Sequence, residues 1–251
     1  MSIIDTFDFN GEEVIKPHDM IQGIDNFPKK VIVTFSHKFI DQAMESYDLE
    51  EIGCLKAGVK IPLYKIVYKN EPIVFYNTVV GAAGTAALLE EVMALGAEEI
   101  LFFGSCGALD KSIAAGHLIV PTSAYRDEGV SYHYAEASDF FDVETADKLS
   151  SIFDELQIPY IKTKTWTTDS IYRETSRNME KRKAMGCSVV DMECASVMSV
   201  GKHRGKNIYQ FLYAADCLDS EKWDERILLG KMPKNMIDRV LLVALETIIR
   251  V

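Results

Sequence analysis

The stretch "VVDMECAS" puts Asp191 and Glu193 where an apolar run gives way to a helical pattern, and "IYQFLYAAD" ends on a third acid, Asp216. Carboxylates in the crevice beyond buried strand ends are well placed to accept hydrogen bonds from sugar hydroxyls. The plainer reading is that acids beside a helix N-terminus complement its dipole. A fourth feature of the same kind is "EEILFFGSCGALD", residues 98–110. Ile100-Leu101-Phe102-Phe103 reads as a buried strand stopping at Gly104-Ser105-Cys106-Gly107, a small-residue loop whose amides and hydroxyl suit a phosphate or a sugar. No Arg or Lys stands beside that loop before Lys111.

The "GAAG" of Gly81 to Gly84 also follows a strand and opens a helix, as a dinucleotide-binding turn does. The full fingerprint needs G-x-G-x-x-G and an acid closing the next strand. Here the next strand reaches Phe103-Gly104, so the glycines are read as allowing close helix–sheet packing.

These residues need elements to hold them. "KKVIVTF" predicts a buried strand, and "SHKFIDQAMESY" has apolar positions at helical spacing. Residues 61–68 and 72–78 predict paired strands around the turn "KNEP", and a helix is expected from about Gly84 to Leu95. "HLIVP" predicts a short strand closed by Pro121, and "AYRDEGVSYHYAEAS" an irregular binding loop. Beyond it come a helix near 144–156, the strand "IPYIKTKTW", a helix near 175–185, a helix from Cys194 to His203 and the strand that ends at Asp216. The terminal "KNMIDRVLLVALETIIR" is amphipathic, with Met236, Val240, Leu241, Ala244, Leu245 and Ile248 on one face. Strand–helix alternation implies a three-layer α/β domain with a mixed, largely buried sheet over residues 30–251, preceded by a polar N-terminal segment, 1–29.

Composition narrows the chemistry. With 251 residues and 48% apolar content, one large domain can bury a continuous core. The net charge of -11, with no basic cluster, opposes nucleic acid and anionic membrane surfaces as partners. No apolar run approaches the roughly 18 to 20 residues that span a bilayer. Five scattered cysteines, without a CxxC pair or a signal sequence, predict a reducing, cytoplasmic protein. The five histidines form neither HExxH nor HxH, so no metal is expected.

"GSCGAL", "RDEGVSYHY", "TTDSIYRE", "VVDMECAS" and "YAAD", in this order and spacing, resemble the family of purine nucleoside phosphorylases, uridine phosphorylases and methylthioadenosine or adenosylhomocysteine nucleosidases. The resemblance covers about residues 30 to 250. It implies a single α/β domain around a mixed, partly closed β-sheet and cleavage of a nucleoside's N-glycosidic bond through an oxocarbenium-like ribose. Phosphate or water then captures the anomeric carbon. Phosphate is the implied co-substrate and no other cofactor is expected. The alternatives are a phosphate-independent nucleosidase and an inactive nucleoside-binding relative. A homo-oligomer, trimer or hexamer with shared active sites, is also implied.

By resemblance, Glu193 binds ribose hydroxyls with Met192 lining the sugar, and Asp216 hydrogen-bonds or protonates the leaving base. Gly81, Gly104 and Ser105 form the nucleophile or phosphate loop. Ile171 stands where an aromatic residue normally stacks on the base, with Tyr172 beside it. Arg177 falls near a uracil-binding arginine, whose glutamine companion is Thr175 here, and His133 is a further pocket-lining candidate. His18 is placed where relatives send a histidine into the adjacent subunit's ribose pocket. Purine and pyrimidine both remain open.

The departures lie in the phosphate shell. Phosphorolytic relatives carry arginines where this chain has Phe102 and Phe39, a glycine where it has Phe35, and a subunit-lent arginine near Gly58 to Lys60, where none occurs. A dianion stripped of water is costly to hold without paired cations. Lys38, Lys60 or Lys65 would supply only a point charge rather than a planar fork. The nucleosidases' water-activating glutamate has no counterpart in "VIVTFSHKF". His37 could act as a base if it faced the pocket, although a histidine in a helix's first turn is ordinarily solvated.

Overall fold

Val31, Ile32 and Val33 are apolar in succession because strand β1 (Lys30–Thr34) lies between two parallel neighbours, β4 (Glu71–Asn77) and β5 (Glu99–Ala108), and is covered on both faces. The computed structural model describes residues 2–5, 7–219 and 222–251. The other strands are β2 (Leu49–Leu55), β3 (Ile61–Tyr68), β6 (Leu118–Asp127), β7 (Phe140–Asp142), β8 (Tyr160–Thr168), β9 (Cys187–Asp191) and β10 (Asn207–Cys217). The helices are α1 (Pro17–Met20), α2 (His37–Ser46), α3 (Ala82–Ala94), α4 (Ser131–Tyr134), α5 (Ala146–Glu155), α6 (Ser176–Ala184), α7 (Cys194–Arg204) and α8 (Lys234–Ile248).

All strands join one mixed sheet in the order β10-β6-β8-β9-β5-β1-β4-β3-β2, with β7 added to β6. An additional β10–β5 pairing closes β10, β6, β8, β9 and β5 into a five-stranded barrel inside the larger sheet. The partly closed sheet implied by the resemblance is therefore present. Helices α2, α5 and α8 form one packed group and α3, α4 and α7 another. The core-facing positions of α8 are those its periodicity predicts, with Ile237 and Thr247 buried as well.

An aromatic stack underlies the site. Phe103 lies parallel to Phe211, with ring centroids 5.5 Å apart, and meets Phe39 edge-on at 4.8 Å. Offset and edge-to-face pairs of this kind add to simple area burial.

Three expectations need correction, and one strand was not foreseen. β5 does not stop at Gly104; it runs through Ala108, and Ser105 and Cys106 pair with Tyr213 and Ala214 of β10. The small residues thus belong to a strand, and ladder pairing engages the backbone there rather than an open loop. Pro121 does not close a strand but lies inside β6, at a register shift between Pro121 and Ala124, where an irregular ladder accommodates the missing N–H. The segment expected to be irregular is the end of β6, the single turn α4 and strand β7. Strand β2 went unpredicted because Glu50, Glu51 and Gly53 mask its alternation; it is an edge strand paired only to β3.

The N-terminal segment packs onto the domain. Ile21, Ile24 and Phe27 lie against the core, α1 contacts α3, and Glu13 pairs with Arg204 at 2.9 Å. Among the described residues no helix is long and apolar enough to cross a membrane, and no group of three or more His, Cys, Asp or Glu is arranged to hold a metal ion.

Candidate active site

Gly107 is where the site converges. On one side of β5 it pairs with Asp216 of β10, and on the other with Val190 of β9, one residue before Asp191. A side chain there would meet Leu218 Cδ1 at 2.7 Å, Val190 Cγ1 at 2.9 Å and Asp216 Oδ1 at 3.3 Å. The absent Cβ is what allows these strands to bring their acids together.

Asp191 is the frame rather than the reagent. Its Oδ2 accepts from the backbone N–H groups of Glu193 at 2.9 Å and Cys194 at 2.6 Å, and its Oδ1 accepts from the Thr165 and Thr167 hydroxyls, both at 2.8 Å. These bonds cap α7 and tie β9 to β8, which fits the helix-dipole reading.

Glu193, at the N-cap of α7, is the residue this frame holds up. Its Oε1 accepts from the Gly81 N–H at 2.6 Å. Gly81 has φ +103°, a conformation suited to glycine, and is itself the N-cap of α3. Only 6% of Glu193 is exposed. Burial, and then the charge of Asp191, push its carboxyl up to about 8. Met192 beside it is half-buried. A carboxyl held by backbone donors in a largely dry crevice retains acceptor capacity for hydroxyl groups.

Asp216 closes the other side. Its Oδ2 accepts from the Trp223 indole N–H at 2.7 Å, and burial raises its proton affinity while Trp223 and Arg226 oppose the rise. Cys106 lies within the field of both Asp191 and Asp216, which, with burial, pushes its thiol up. Glu174, between the 3₁₀ turn Ile171–Arg173 and α6, is raised to about 7 by burial and by the charge of Asp216.

Around Ser105 the surroundings are aromatic. Phe35 covers Gly104 so closely that a Cβ would meet its Cδ2 at 2.6 Å, and its ring lies 6.2 Å from that of fully buried Phe102. Phe39 packs on Phe103 and on Tyr213, the strand partner of Ser105. Ser105 itself is exposed. Lys38 donates to the Gly230 carbonyl at 2.7 Å and Lys65 pairs with Glu50 at 2.8 Å, so both are engaged elsewhere, while Lys60 is exposed.

The outer candidates are less converged. Ile171 is half-exposed and Tyr172 is 96% exposed. Arg177 is exposed, and the Thr175 hydroxyl caps α6 by accepting from the Asn178 N–H at 3.3 Å. His18 on α1, His133 on α4 and His37 at the start of α2 are exposed. Sequence reasoning missed the roles of Gly107, Glu174 and Trp223. Glu174 lies inside "TTDSIYRE", yet nothing local in sequence reveals that it is half-buried within the field of Asp216.

Comparison with known proteins places the chain in a family. The family model described as Phosphorylase superfamily matches residues 29–239. A purine nucleoside phosphorylase of Plasmodium vivax is 28% identical over 189 residues, covering 73% of this chain and 76% of that protein. The crystal structure of a uridine phosphorylase from Vibrio fischeri superposes with TM-score 0.76 at 22% identity, covering 96% of this chain and all of that one. An AMP nucleosidase from Bacteroides thetaiotaomicron superposes with TM-score 0.69 at 20% identity, covering 89% and 88% of the two chains. A family-model match across most of the chain makes this protein a member of the phosphorylase superfamily.

Proposed function

We propose that this protein cleaves the N-glycosidic bond of a nucleoside, with Glu193 gripping the ribose and Asp216 facing the base, and that water captures the anomeric carbon. The observation that carries the choice of nucleophile is the covering of Gly104 by Phe35, backed by buried Phe102. A phosphate dianion beside Ser105 would give up hydration to face phenyl rings, whereas a neutral water carries no such desolvation cost. Thr34 at the end of β1 and Thr78 just after β4 bring two buried hydroxyl oxygens without partners among the described residues, and Thr78 N–H donates to Thr34 O at 2.8 Å. Such hydroxyls suit the holding of a small polar molecule. The same fold serves a protein named uridine phosphorylase and one named AMP nucleosidase.

Stabilisation of the oxocarbenium-like sugar follows from Glu193, whose carboxylate becomes more favourable as positive charge develops beside it. The reading includes a homo-oligomer: His18, which the resemblance assigns to a neighbouring copy's ribose pocket, is exposed on the surface, as such a contact requires. All five cysteines are unpaired, which supports a reducing, cytoplasmic setting.

The test is a panel of purine and pyrimidine nucleosides incubated with the purified protein, with free base followed by chromatography. Base release lost in Glu193→Ala supports the reading; release retained in that variant, or absent from every nucleoside with the wild type, contradicts it.

A further inference from the structure

Resting on the nucleoside-cleaving reading, we propose that Trp223 is a positioning residue for Asp216: its indole N–H claims Oδ2, so that the proton Asp216 gives to the departing base is carried on Oδ1. The contact is short, with Trp223 Nε1 donating to Asp216 Oδ2 at 2.7 Å. Asp216 Oδ1 lies beside Gly107, 3.3 Å from the point a Cβ there would occupy. The two carboxyl oxygens are therefore unlike.

The backbone delivers the indole to this place. After β10 the chain turns back, and Asp224 exchanges two backbone hydrogen bonds with Cys217, at 2.9 and 3.1 Å, while the Ile227 N–H donates to the Ala215 carbonyl at 3.0 Å. The returning segment is thus fixed to the residues on either side of Asp216. Arg226 adds a bond from Nη1 to the Ile113 carbonyl at 2.5 Å. Trp223 stands one residue before the first of these anchors, so the fold of the strand end sets its place. Only 8% of Asp216 is exposed, against 54% of Trp223. A tryptophan that leaves half its ring in solvent yet turns its one polar atom onto a buried carboxyl is placed by that hydrogen bond rather than by apolar burial.

An indole N–H can only donate. A neutral carboxyl offers one oxygen that accepts and one that donates, so the oxygen facing Trp223 is held as the acceptor and the O–H falls on Oδ1. Burial favours that neutral form, while Trp223 and Arg226 favour the carboxylate. The other titratable groups around Asp216 are Asp224 on the returning segment, the Cys106 thiol on β5 and Glu174 before α6, none of which brings a positive charge. When the C1′–N bond breaks, its electron pair passes to the base and the Oδ1 proton moves to a base nitrogen, leaving the base neutral. Negative charge grows on the Asp216 carboxyl, and the Trp223 hydrogen bond, already in place, strengthens with it. The oxygen of water bonds to C1′, its surplus proton goes to solvent, and Asp216 takes a proton back from solvent, so that nucleoside and water give base and pentose.

The test compares wild type and Trp223→Phe on whichever of adenosine, inosine and uridine wild type cleaves fastest, and on 4-nitrophenyl β-D-ribofuranoside, whose phenolate leaves without protonation. Both substrates need Glu193, so the ratio of their rates isolates Asp216. Trp223→Phe keeps a flat ring without the N–H, and its Asp216 is the weaker acid. The nucleoside-to-riboside ratio at its low-pH plateau should fall by at least about tenfold, and the pH at which that ratio declines should move upward. Lost packing alone would lower both rates together and leave that pH in place. Tryptophan emission gives a second readout without substrate. The chain has two tryptophans, and the other, Trp166, is buried and donates to Asp127 Oδ2 at 2.9 Å. The emission that wild type has and Trp223→Phe lacks should titrate with pH, and Asp216→Asn should abolish that titration. Equal losses on both substrates, an unmoved pH dependence, or Trp223 emission indifferent to Asp216 would overturn the role of Trp223 and leave the parent reading standing. A wild type inactive on every nucleoside and on the riboside would overturn both.

Discussion

The Gly81 N–H donates to Glu193 Oε1 at 2.6 Å, joining the start of α3 to the start of α7 across 112 positions of sequence. It supports the Glu193 carboxylate in a place where burial and Asp191 work against the charge. Function and stability therefore oppose each other at this residue, as at many working sites.

The sign of the resulting pH dependence is definite. A carboxyl raised to about 8 in the folded protein, from an ordinary 4.5, keeps its proton when folded but not when unfolded between those values. Its ionisation consequently costs folding stability as pH rises through that window, in full above about 8, on the order of a few kcal/mol. Glu193→Gln keeps the acceptor oxygen for Gly81 and escapes the cost. Thermal melts from pH 5 to 9 should show the variant gaining on wild type with rising pH, while nucleoside cleavage is lost. A melting difference that stays constant with pH would count against this reading.

Replacing Asp191 should cost stability rather than add it. Each of its oxygens accepts two hydrogen bonds, so Asp191→Ala leaves buried donors at the head of α7 and on β8 without partners. Bonds to charged groups of this kind contribute about 1.5–3 kcal/mol each and do not add simply. Denaturant unfolding should show a loss of at least about 3 kcal/mol. A variant as stable as wild type but inactive would reassign Asp191 from frame to reagent.

Gly107→Ala tests the convergence of the strands. Its methyl group would crowd Leu218, Val190 and Asp216 at once, and the first two are side chains packed around the strand ends. Overpacking costs about 1–3 kcal/mol, and displacing Asp216, the acid proposed to face the base, should reduce activity further. The expected readout is a lowered melting temperature together with a drop in kcat/KM larger than that for a comparable core substitution such as Val189→Ala. Activity that merely tracks stability would show that the position of Asp216 does not depend on the bare glycine.

Much of this was legible in sequence because the signals were local. Runs such as "VIV" and "ILFF" announce strands, the amphipathic period of α8 announces its buried face, and an acid before a helix announces Asp191. What could not be read depends on pairing between distant strands. "GSCG" has the composition of a loop, yet β10 pairs with it and keeps it extended. Pro121 punctuates in sequence, but a register shift lets β6 continue past it. Trp223 meets Asp216 where Asp224 folds back to bridge Cys217. Local composition cannot encode such meetings.

The central claim is that water, not phosphate, takes the sugar. It is tested most directly by identifying the sugar product from a cleaved nucleoside in rigorously phosphate-free buffer and again in millimolar phosphate. The account predicts free pentose at the same rate in both. A sugar 1-phosphate, formed only when phosphate is present, would contradict it and would mean that the aromatic wall of Phe35 and Phe102 yields to a phosphate dianion after all.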